Sequence, residues 1–106
     1  MDAEDYLKES IKRNPSDPMN YYYLGKELMN KRLRDIEDLG MIEKLFKKSV
    51  QLGPHLWAPK IGLGELLYKM GRFKEAEPYF KDTLSYYKLP NAVSVKEYLA
   101  KCLSKS

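Results

Sequence analysis

Three segments of this chain superpose in register, and that internal repeat constrains its fold more than any other feature. Leu7, Phe46 and Phe80 align, as do Ile11, Val50 and Leu84, and Ala3, Ile42 and Ala76, at offsets of 39 and then 34 residues. A second set aligns Leu24, Leu63 and Leu99, then Gly25, Gly64 and Ala100, then Leu28, Leu67 and Leu103, at offsets of 39 and 36. Helical units that cannot bury their own apolar faces must stack on neighbours, so a period of this length predicts a solenoid of helix pairs.

The punctuation agrees with that period. Asn14-Pro15-Ser16-Asp17-Pro18 ends one helix and starts the next, because proline cannot continue the first and Ser or Asp can cap the second. Gly53-Pro54 repeats the break, Gly71 suits a left-handed helix end, and Leu89-Pro90-Asn91 closes a fifth helix and caps a sixth. The chain therefore predicts six helices, over about 3–13, 18–31, 36–52, 57–70, 74–88 and 92–104. Residues Lys31 to Gly40 are compatible with extending either neighbouring helix. Pro59 falls in a first turn, where a missing N–H costs little, and Pro78 is expected to bend the fifth helix slightly. No segment alternates with the period of two that a strand needs.

Each helix needs its neighbour. Phe73, Ala76, Phe80 and Leu84 form a stripe at spacings of three and four, while Ile61, Leu63, Leu66, Leu67 and Met70 cover more than one face of the preceding helix. Gly64 and Ala76 allow close approach beside Phe80 and Leu84. One apolar edge of each pair stays open for the next.

Composition bounds the function. With 106 residues, 43% hydrophobic and 32% charged, the chain reads as one globular domain that is neither disordered nor membrane-spanning. Its acidic, amphipathic start is unlike a secretory signal, which points to the cytoplasm. The net charge of +4 is spread along the chain and lacks the clustered basic footprint of a nucleic-acid binder. Cys102 is the only cysteine, so neither a disulfide nor a multi-cysteine metal site is expected.

The aligned residues also resemble the tetratricopeptide repeat, a helix–turn–helix unit with the pattern W-x2-L-G-x2-Y…A-x3-F…P. The unit from Trp57 to Pro90 carries Leu63-Gly64-x2-Leu67, then Ala76-x3-Phe80 and Leu84. The unit from Pro18 to Pro54 carries Tyr21-x2-Leu24-Gly25-x2-Leu28, then Ile42-x3-Phe46, Ser49 and Val50, with five extra residues between its halves. Lys60, Leu67, Thr83 and Ile42 depart from the usual residues. The resemblance implies an all-α, right-handed superhelical stack filling residues 1–106 as a single domain. Residues 1–15 form a trailing half-repeat, 18–54 and 57–90 two repeats, and 91–106 a capping helix.

In such a stack the first helix of each pair lines a concave groove. The resemblance thus places Met19, Tyr22, Tyr23, Lys26 and Met29 from the second helix against a ligand. Ala58, Ile61, Gly62, Glu65 and Tyr68 follow from the fourth, and Ser94, Glu97, Tyr98 and Lys101 from the last. The expected partner is a protein or peptide segment, with neither nucleic acid nor membrane, and self-association through the end helices is a further use. Tyrosine and methionine suit recognition, though each tyrosine equally fits plain packing. A clamp for chaperone C-terminal carboxylates is not expected. Its basic and amide positions match Tyr22, Lys26, Gly62, Ser94 and Tyr98, of which only Lys26 is basic.

Catalysis has little to draw on. His55 stands in a helix-start linker with no Ser or Cys nucleophile near it, and Cys102 reads as a small apolar residue. Glu75 and Glu77, and Asp35, Glu37 and Asp38, sit among Lys and Arg as solvated faces, the latter neutralising Lys31-Arg32-Leu33-Arg34. Gly62 and Gly64 lack the strand and lysine of a phosphate loop. The chain is read as a non-enzymatic interaction module without a cofactor. The alternative is an accessory module of a larger enzyme, such as a bacterial sugar transferase, which Asn14–Pro18 and Tyr22–Gly25 weakly resemble.

Overall fold

The computed structural model describes residues 2–31, 36–86 and 92–105, and these form six helices with no strand among them. They are α1 (Ala3–Arg13), α2 (Pro18–Lys31), α3 (Ile36–Leu52), α4 (Trp57–Lys69), α5 (Phe73–Tyr86) and α6 (Ala92–Lys105). Arg32, Leu33, Arg34 and Asp35 lie outside the described residues, as does the Leu89-Pro90-Asn91 break. Among the described residues no helix is long and apolar enough to cross a membrane.

Local chemistry sets the helix ends. The Asp2 side chain accepts the Asp5 N–H at 2.9 Å, and that bond holds its carboxyl below the usual carboxylate range. Glu4 and Asp5 in the first turn and Lys12 and Arg13 in the last complement the helix dipole of α1. Asp17 caps α2 by accepting the Met19 N–H at 3.0 Å, with Pro18 at the first helical position. Gly71, at φ +78°, closes α4 in a Schellman turn. Its N–H donates to the Tyr68 carbonyl at 3.0 Å, and the Arg72 N–H donates to the Leu67 carbonyl at 2.9 Å. Pro78 is exposed inside α5, which runs unbroken past it.

The sequence period reappears as repeated local geometry. The Asn14 N–H donates to Ser10 and the Gly53 N–H to Ser49, both at 2.9 Å. Asp17 N–H to Asn14 (3.3 Å) and Leu56 N–H to Gly53 (3.0 Å) then close the same turn 39 residues apart. A second device recurs three times. Glu4, Glu43 and Glu77 receive Lys8, Lys47 and Lys81 at 3.3, 2.8 and 3.0 Å, each carboxylate's side chain only 11–17% exposed. These i,i+4 pairs occupy one register of α1, α3 and α5, and each stabilises its own helix by about 0.2–0.5 kcal/mol. Sequence reading missed them because Glu and Lys are common on any helix surface.

Contacts divide the chain into two compact units, Met1–Pro59 and Lys60–Ser106. In the first, α2 packs on both α1 and α3. Its buried apolar side chains include Leu24, Leu28, Met29, Ile42 and Phe46. A Cβ built at Gly25 would lie 2.8 Å from the Phe46 ring, so the ring lies flush on bare backbone. The Ser49 hydroxyl donates to the Pro18 carbonyl at 2.7 Å, tying α3 to the start of α2. Tyr21 OH reaches the Pro15 carbonyl at 2.8 Å, and Asn20 Nδ2 reaches Ser10 at 3.3 Å, fastening α1 to α2.

The second unit repeats the arrangement. A Cβ at Gly64 would lie 2.9 Å from the Phe80 ring, which joins α4 to α5. Leu63, Leu66, Leu67, Ala76, Phe80, Val95 and Cys102 are buried, and α6 packs on α5. The buried Thr83 hydroxyl is satisfied locally, donating to the Tyr79 carbonyl at 2.6 Å. Among the described residues no buried side-chain polar atom lacks a hydrogen bond.

Candidate functional site

Each unit leaves part of its helix surface outside the packed core. In the first, the buried arc of α2 holds Leu24, Gly25, Leu28 and Met29. Met19 and Lys26 are half-buried and Tyr23 is 51% exposed. The Tyr22 ring lies 6.0 Å from Phe46 and 5.5 Å from Tyr23, tilted to both. Tyr22 therefore bridges the core and the surface, giving Tyr23 an aromatic neighbour. Met29 is a correction. Placed on the groove by the resemblance, it is 2% exposed. The reason is helical geometry: Met29 follows Gly25 by four residues, so it shares the glycine's packing arc.

In the second unit an aromatic chain links three helices. Phe73 meets Tyr68 edge-on at 5.3 Å, Tyr68 meets Tyr98 edge-on at 5.2 Å, and Tyr98 stacks on Phe80 at 5.4 Å with planes 5° apart. Such offset and edge contacts each add about 0.5–1.5 kcal/mol beyond area burial. Tyr68 and Tyr98 are thus half-buried packing residues as well as surface ones. Ile61 and Glu65 are also half-buried, whereas Glu97 and Lys101 are exposed. Ser94, Glu97, Tyr98 and Lys101 line a cavity of about 170 Å³, with acid, amine and phenol all at hand.

Burial, with Glu65 and Tyr68 contributing, raises the Tyr98 phenol above its ordinary pKa of 10.0. The unfolded chain ionises this group first, so its contribution to stability is complete below pH 10 and is lost as pH rises beyond it. The Tyr98→Phe variant is expected to lose stability less steeply than the parent above pH 10, read by denaturant midpoints across alkaline pH. Identical slopes would show that Tyr98 ionises alike folded and unfolded.

A larger cavity, about 350 Å³, went unforeseen. Gly71, Arg72, Phe73, Lys74, Glu75 and Lys105 line it. The Arg72 guanidinium forks onto Glu75, its Nη2 at 2.7 Å from Oε1, and Lys105 Nζ sits 5.5 Å over the Phe73 ring. No local pattern announces it, because Lys105 lies more than thirty residues from the turn it meets.

His55 is exposed and Cys102 fully buried, with burial pushing the Cys102 thiol up and away from the reactive thiolate. Among the described residues no group of three or more His, Cys, Asp or Glu side chains is placed to hold a metal ion. No protein-family model matches the chain, and no curated protein does.

Proposed function

We propose that this chain is a tetratricopeptide-like module, its helix pairs stacked in a right-handed superhelix, that holds a protein or peptide segment against the first helices of its pairs. The observation that carries the reading is the division of labour around those helices. In α2 and α4 one arc is closed by glycine against a phenyl ring. Tyr22, Tyr23 and Lys26 in the first unit remain beside that arc with surface to offer, as do Ile61, Glu65 and Tyr68 in the second, where α6 adds Glu97, Tyr98 and Lys101. Rigid aromatic bodies with polar tips, bracketed by two acids and two amines, suit a mixed peptide bound by side-chain contacts.

The test is selection of binders from a displayed peptide library, followed by amide-exchange mapping on the intact chain. Protection is expected on α2 around Tyr22–Lys26 and on α6 around Glu97–Lys101. Tyr23→Ala and Lys101→Ala, both at exposed positions, are each expected to weaken a selected peptide by about 1 kcal/mol or more if they are hot spots. Protection confined to the outer faces of α3 and α5, with both variants binding as the parent does, would overturn the assignment.

A further inference from the structure

Two helix faces in the structure are left uncovered at positions where their counterparts are sealed. In α2 and α4, Leu24, Gly25 and Leu28, and Leu63, Gly64 and Leu67, are all buried. The matching residues of α6 are Leu99, Ala100 and Leu103. Leu99 is half-buried, Ala100 exposed and Leu103 51% exposed, because α6 packs through Val95, Tyr98 and Cys102 instead. The second-helix face shows the converse. Ile42 and Phe46 in α3, and Ala76 and Phe80 in α5, are 0% exposed, while their counterparts in α1 are exposed Ala3 and half-buried Leu7.

These two faces complement each other. We propose that Leu99, Ala100 and Leu103 of α6 dock the α1 face of a second copy of this chain, around Ala3, Leu7 and Ile11, head to tail. The pairing would rebuild between molecules the helix pair that α2 makes with α3 and α4 with α5. The volumes fit. Both internal pairs set a phenyl ring on glycine, whereas the junction sets the shorter Leu7 on Ala100, whose methyl takes up the difference. The charges fit as well. An antiparallel pair brings the end of α6, with exposed Lys101 and Lys105, beside the start of α1, with exposed Asp2 and Asp5. The contact is heterologous, so a pair of molecules still presents one free α1 face and one free α6 face, and assembly does not stop at two. One helix pair buries a small interface, so association is weak and is read at high protein concentration. Peptide binding is not needed for this inference.

Sedimentation of the full chain over rising concentration tests it. The mean mass is expected to climb past that of a dimer, and less so at high salt. Ala100→Arg and Ala3→Arg, both at exposed positions, each drive a charge into the contact and are expected to weaken self-association by about tenfold or more, with the helical signal of the parent retained. Mixed in equal amounts, the two variants are expected to form a one-to-one dimer and nothing larger, since one intact α1 face meets one intact α6 face. A parent that stays monomeric at every concentration would overturn the proposal. So would a dimer that plateaus at two and survives Ala100→Arg, or a mixture that stays monomeric.

Discussion

Replacing Phe80 with alanine is expected to cost about 3–5 kcal/mol, the range for removing a fully buried phenyl ring. Three supports fail together. Phe80 is 0% exposed, it lies against the bare backbone of Gly64, and it carries the Tyr98 ring at 5.4 Å. With small domains stable by only about 5–15 kcal/mol, such a loss consumes much of what holds the second unit together. Thermal melting by circular dichroism, with amide exchange on α4, α5 and α6, is the measurement. A transition within a degree or two of the parent would mean that the ring does not hold these helices together.

Gly64→Leu approaches the same contact from the other side. Even a Cβ there would sit 2.9 Å from the Phe80 ring, and a leucine adds a branched side chain to that space. Overpacking of this kind costs about 1–3 kcal/mol or more. For a chain of this size each kcal/mol lowers Tm by roughly 4–8 °C. Gly25→Leu should behave alike against Phe46, since the same geometry recurs at 2.8 Å. Gly40 is the control, with nothing within 4 Å of a built Cβ. Its leucine variant should melt no lower than the parent, since leucine is the better helix former. Compensation is testable too: Gly64→Ala with Phe80→Leu should lose less than the two single changes summed, because a smaller ring site meets a smaller gap. Simple additivity would show that helix approach is set elsewhere.

Much of the helical plan was legible in the chain. Asn14–Pro18, Gly53-Pro54 and Gly71 announced three breaks through backbone chemistry that acts within a few residues. Gly64 was expected to allow close approach beside Phe80, whereas the equivalent contact of Gly25 with Phe46 came only from the structure. The candidate surface was less legible. Met29 was placed outward by the resemblance, yet four-residue spacing from Gly25 puts it on the packing arc. Tyr98, which the sequence left equally open to a groove or a packing role, has its ring against Phe80 and Tyr68.

By itself, the order of residues determined where helices begin and end and which side chains share a face. Those outcomes depend on hydrogen bonds and spacings within one or two turns. Only the tertiary structure decided which neighbour covers each face. Tyr68, Tyr98 and Phe80 meet from three helices, and α6 turns Val95 and Cys102 inward while Ala100 and Leu103 stay outside. Periodicity shows that a stripe is apolar. Burial depends on what lies across from it, and that is a property of the packed chain.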